Sequence, residues 1–159
     1  MLLSSYDAAL SLLLRISQTR VGAASVSNAG LFAAARESQL FSADPDIGLG
    51  MYTPFPQPRI YMLTNSLEFE NPEALKKFFS LMLSVLRIIN AVVLSRGPQN
   101  ERTIQEAREF LTENRSSIVG IFKRNAGIGT QGKHPESEVL NELVDHFGLL
   151  MSITEFLEV

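Results

Sequence analysis

Apolar residues recur at helical spacing along most of this chain, and no segment shows the two-residue alternation of a strand. The densest run is Pro72–Ser95, which holds Leu75, Phe78, Phe79, Leu81, Met82, Leu83, Val85, Leu86, Ile88, Ile89, Val92, Val93 and Leu94. At about 100° per residue, Glu73, Lys76, Lys77, Ser80, Ser84, Arg87 and Ser95 gather into one strip roughly 100° wide. The rest of the circumference is apolar, so this helix needs neighbours on most sides. Asn71-Pro72 supplies its start, a capping residue followed by proline at the first helical position. Ser95-Arg96-Gly97-Pro98 supplies its end, with a cation in the last turn, glycine beyond it and then proline.

The flanking segments predict further helices. Ser5–Gln18 is amphipathic, with Ser4 or Ser5 as cap and with Leu10, Leu13 and Ile16 in phase with Tyr6. The small residues from Val21 onward lead to Asn28-Ala29-Gly30, where glycine can end one helix before Leu31–Gln39 begins another. A short helix, a tight break and a second helix is the grammar of armadillo and HEAT units. Asp44–Pro58 reads as a Pro/Gly-rich loop: Asp44-Pro45-Asp46 and Gly48-Leu49-Gly50 break helix, and Pro54, Pro56 and Pro58 favour extended chain. Alternate prolines do not make a P-x-x-P ligand. Ile60–Phe69 follows as a short helix.

After the long helix, Glu101–Glu113 places Ile104, Ala107 and Leu111 inward. Asn114 can cap Arg115–Asn125, with core face Ile118, Val119 and Phe122 and with Lys123 and Arg124 at its C-terminal turn. Gly127–Lys133 reads as a loop, and a last helix is expected over Glu136–Glu158. The fold class is therefore all-α, five to seven helices in antiparallel repeats, with residues 1–159 as one armadillo/HEAT-like α-solenoid segment.

Composition narrows the chemistry. Apolar residues make up 45% and charged residues 19%, which suits a packed core. The net charge of −3 provides no overall basic surface for direct nucleic-acid binding. With no cysteine, disulfides, thiolate nucleophiles and the usual structural zinc sets are excluded. Asp7 and Arg15 interrupt the pattern that a secretory signal would need at Met1–Leu14, and Arg87 at the middle of the long helix argues against a membrane span.

Motifs that tempt a catalytic interpretation lack their context. Gly127-Ile128-Gly129-Thr130-Gln131-Gly132-Lys133-His134 resembles a phosphate-binding loop, yet no strand feeds it and His134 replaces the hydroxyl that would hold magnesium. His134 and His146 are too far apart for a zinc pair on one helix, and Asp145 and His146 point about 100° apart. Glu106, Glu109 and Glu113 share a polar face with Arg102 and Arg108. No catalytic set, metal site or cofactor is expected.

The last helix offers binding chemistry. Leu140, Leu143, Val144, Phe147, Leu150 and Met151 form its main apolar stripe, and Leu149, Ile153 and Phe156 form a second. Its charged residues are acidic: Glu136, Glu138, Glu142, Asp145, Glu155 and Glu158. The second stripe is either internal core or a site for a partner helix, which acidic flanks would prefer to be basic.

Leu86-Arg87-Ile88-Ile89-Asn90-Ala91-Val92-Val93-Leu94-Ser95-Arg96-Gly97, then Gln99-Asn100, resembles the C-terminal tail of the large inner-ring scaffold nucleoporins. The similarity continues through Ala107–Arg115, Ile121-Phe122-Lys123-Arg124 and the last helix. It implies an α-solenoid of the nuclear pore complex at the nuclear envelope, and a fragment, because such proteins are very large. It also implies that a groove near the C-terminus takes a helix or linear segment of a linker nucleoporin, alongside other scaffold nucleoporins, in support of nucleocytoplasmic transport. The candidate partner-binding residues are Phe147 and Phe156, with Leu149, Ile153, Leu143 and Leu150 around them. From the residues alone, a stand-alone helical adaptor unrelated to the pore is the other expectation.

Overall fold

The computed structural model describes residues 2–42, 72–131 and 134–156, and the regular elements among them are all α-helices. They are α1 (Leu2–Ser17), α2 (Arg20–Asn28), α3 (Leu31–Glu37), α4 (Pro72–Arg96), α5 (Glu101–Glu113), α6 (Arg115–Gln131) and α7 (Ser137–Ile153). The expected loop at Asp44–Pro58 and short helix at Ile60–Phe69 lie outside the described residues.

The long apolar helix is the middle layer. Phe79, Met82, Leu86, Ile89 and Val93 lie along one face of α4, in a cluster with side chains from α3, α5, α6 and α7. Ile88 and Val92, turned about 120° from that face at 100° per residue, join Ala23 in a second buried cluster. Leu10 and Leu14 of α1 and Val26 of α2 pack against it. Each large side chain buried in this way contributes roughly 1.5–3 kcal/mol, so α4 stabilises two cores at once. Its length and composition would also suit a membrane crossing, a test that core helices pass too. Here protein clads two of its faces.

The polar strip of α4 also finds partners at its edges. Ser95 Oγ donates to the Ser17 carbonyl at 2.8 Å, tying α4 to α1. On the other edge, Arg87 pairs with Glu142, and Asn90 Nδ2 donates to the His146 carbonyl at 3.0 Å. Both contacts join α4 to α7 in ascending order, so these two helices run parallel. α5 and α6 carry the chain back between them. Parallel stacking of helices from successive units, separated by returning helices, is how a repeat array buries its core.

Two glycines make the breaks that the pattern calls for. Gly30 has φ +98° between α2 and α3, and Gly97 has φ +87° after α4. In that left-handed region a Cβ is penalised. The Gly97 N–H closes α4 by donating to Val93 O at 3.0 Å.

Other boundaries differ from expectation. α1 begins at Leu2 rather than at a Ser4 or Ser5 cap. Its inward residues are Leu10, Leu14 and Ser17, whereas Tyr6, Leu13 and Ile16 are exposed. α6 continues to Gln131, so Gly127–Gln131 is helix where a loop was expected, and Lys123 and Arg124 lie mid-helix. On α6, Ile121 is buried and Val119 exposed, the reverse of the expected core face at Val119. α7 stops at Ile153 instead of reaching Glu158. Glu155 takes a left-handed φ of +50°, its N–H bonds Ser152 O at 3.2 Å, and the Phe156 N–H bonds Met151 O at 2.9 Å. That pair of bonds is a Schellman stop formed without glycine.

Candidate partner-binding surface

α7 sorts the six candidate residues by face. Leu143, Phe147 and Leu150 are fully buried, facing α4 and the aromatic cluster. The Phe147 ring stands edge-on to Phe41, with centroids 6.3 Å apart, and Phe41 meets Phe110 in the same manner at 4.9 Å. These three side chains form the core of this chain and are not open to a partner. That corrects the expectation for Phe147, whose place at the centre of the main stripe is the physical reason: the stripe belongs to the interior.

The second stripe lies at the surface. Leu149 is 42% exposed, and Ile153 and Phe156 are half-buried, packed on the rim of the large cluster. Exposed Glu138, Asp145 and Glu155 lie on the outer side of the same helix and its stop, and Glu142 is half-buried. The site thus joins an apolar ledge to carboxylates. It suits hydrophobic contact with an amphipathic segment whose flanks are basic.

Two polar side chains that the pattern did not single out hold this ledge in place. Arg108 Nε of α5 donates to the Thr154 carbonyl at 2.7 Å, and the Thr154 hydroxyl donates to Leu150 O at 2.8 Å. Asn90, almost completely buried, fixes the middle of α7 through the His146 carbonyl. Both donors bind backbone oxygens, which every residue carries, so no residue-type signal could have paired them from the sequence. At the other end of α7, Arg124 lies 3.7 Å from the buried Glu136 and sits over the Phe79 ring, 5.7 Å from its centroid. These contacts anchor the start of the helix, while Arg108 anchors its end.

The motifs with a catalytic look serve structure. Gly127–Gln131 is helical, so its amides are not arranged as a phosphate cradle, and Gly132 and Lys133 lie outside the described residues. His146 Nδ1 lies 2.7 Å from the Glu142 carbonyl, one helical turn back, while Asp145 is exposed. Glu106 pairs with Arg102 at 3.1 Å, and Glu113 receives both Nε and Nη2 of Arg36, at 2.9 and 2.8 Å. Among the described residues, no three His, Asp or Glu side chains converge as a metal set.

Comparison with known proteins adds the family context. The family model described as the nuclear pore complex scaffold of nucleoporins 186/192/205 matches residues 2–154. Nucleoporin NUP192 of Chaetomium thermophilum is 32% identical over 177 aligned positions, which cover 96% of this chain and 9% of that relative. The chain therefore spans under a tenth of the length of the curated relative that it matches.

Proposed function

Because the chain belongs to the nuclear pore complex scaffold family of nucleoporins 186/192/205, we propose that it is a structural segment of the inner ring that receives a helix or linear segment of a linker nucleoporin. Its place is the nuclear pore complex at the nuclear envelope. Its contribution to nucleocytoplasmic transport is mechanical: it joins scaffold parts, converts no substrate and needs no cofactor. The observation that carries the binding role is the ledge of Leu149, Ile153 and Phe156, set beside Glu138, Asp145 and Glu155. An apolar anchor within acidic surroundings selects a basic amphipathic partner and rejects acidic ones by repulsion.

Leu149→Glu and Phe156→Glu put charge onto the ledge while leaving Leu143, Phe147 and Leu150 themselves in place. Titrating labelled synthetic segments of linker nucleoporins against the chain should show affinity falling at least tenfold in the double variant, with helicity by circular dichroism unchanged. Equal affinity for the parent and the double variant would remove this ledge as the binding site.

A further inference from the structure

Ser152 is exposed in the last turn of α7, and its hydroxyl holds no hydrogen bond among the described residues. It stands within the ledge: Leu149 is one turn back on the same face, and Ile153 is its neighbour. Glu155 lies three residues on and Glu158 six. A carboxylate three residues beyond the acceptor is the feature that acid-directed serine/threonine kinases read. The chain has this spacing at Ser4, Thr103 and Ser152. Thr103 is buried, so of the two whose side chains are described only Ser152 is open to a kinase.

A kinase takes its acceptor in extended chain, so the last turn must first let go. Few bonds hold it. The Thr154 N–H donates to Leu150 O at 3.0 Å, the Glu155 and Phe156 amides close the stop, and Arg108 ties Thr154 O to α5. The left-handed φ of Glu155 is a conformation that side chains other than glycine adopt reluctantly, and helix ends of this kind open locally at small cost. Transfer then moves the γ-phosphoryl group of ATP to Ser152 Oγ: the new O–P bond forms as the bond to ADP breaks, and the hydroxyl proton passes to the kinase's base. The product carries a charge of about −1.5 to −2 near neutral pH. It stands at the negative end of the α7 dipole, close in sequence to Glu155 and on an apolar contact surface, all settings in which a phosphate disrupts. We propose that Ser152 is a phosphorylation site for an acid-directed kinase, and that the phosphate holds the α7 stop open and so withdraws the ledge from its partner. The effect on the partner rests on the ledge reading above.

The 159-residue chain is incubated with ATP and a kinase of the casein kinase 2 class, and the phosphate is located by fragment-ion mass spectrometry. Modification should fall on Ser152, vanish in Ser152→Ala and slow at least fivefold in Glu155→Gln. Arg108→Met, which frees the turn, should speed it at least threefold. In the phosphorylated chain the amides of Thr154, Glu155 and Phe156 should exchange with solvent at least tenfold faster, with α4 unchanged, and affinity for the linker segment should fall at least tenfold. Absence of phosphate on Ser152 in both the parent and Arg108→Met would overturn the site. Phosphate without faster exchange would overturn the opening of the stop. Linker affinity kept by the phosphorylated chain but lost by the Leu149→Glu, Phe156→Glu double variant would overturn the switch. If neither change moves linker affinity, the ledge reading falls by itself, while the modification and the opening stand on their own readouts of mass and exchange.

Discussion

At the scale of single residues, small side chains matter here for opposite reasons. A Cβ placed on Gly22 would come 1.9 Å from the backbone oxygen of Ile16, where α2 folds back against the end of α1. Backbone cannot move aside as a flexible side chain can. Gly22→Ala should therefore destabilise the chain by at least about 1–3 kcal/mol, the range for overpacking, read as a lower urea midpoint. Gly148, within α7, has nothing within 4 Å of its added Cβ. Gly148→Ala should stabilise the chain by about 0.5–1 kcal/mol, the helix-interior difference between the two residues, read as a higher urea midpoint. The roles of Gly30 and Gly97 are legible from neighbouring residues, because each sits where a periodic pattern ends. The role of Gly22 is not, since it depends on how closely two helices approach.

At the scale of elements, proline at a first position and glycine in the left-handed region mark boundaries that the structure keeps, whereas a serine cap or a glycine alone does not fix one. Pro72 opens α4, and Gly97 closes it. α6 passes through a glycine-rich stretch without breaking, and α7 stops at a glutamate in the left-handed region. The α7 stop depends on Arg108, whose bond to Thr154 O reaches across from α5. Arg108→Met retains much of the apolar stem but removes this donor. Hydrogen exchange at the amides of Thr154, Glu155 and Phe156 should accelerate by an order of magnitude, as a hydrogen bond of about 1.5 kcal/mol is lost, while the amides of α4 keep their protection. The Arg87–Glu142 pair, whose side chains are 41% and 47% exposed, contributes little by comparison because water screens it.

At the scale of the whole molecule, α4 couples the two cores. Ile88 belongs to the α1–α2 side and Ile89 to the α3 and α5–α7 side, on adjacent positions of one helix. Ile88→Ala and Ile89→Ala should each cost about 2–5 kcal/mol. Both should shift a single unfolding transition, seen alike by circular dichroism and by tyrosine fluorescence. Two separable transitions in either variant would mean that the clusters fold independently. The parallel α4–α7 pair belongs to this scale too.

The sequence by itself determined that the chain is helical, that Pro72–Arg96 is its most enclosed element, and that α7 carries two apolar stripes. These follow from local periodicity and from the backbone preferences of proline and glycine, which act within a few residues. Only the tertiary structure decided which stripe becomes interior. Phe147 is drawn into the aromatic cluster with Phe41 and Phe110, while Leu149 remains outside. It also decided that the apolar phase of α1 containing Tyr6, Leu13 and Ile16 faces outward. Periodicity shows that a face is apolar, but its burial depends on what lies opposite. That is set by contacts between residues far apart in the chain, such as Asn90 with His146 and Arg108 with Thr154.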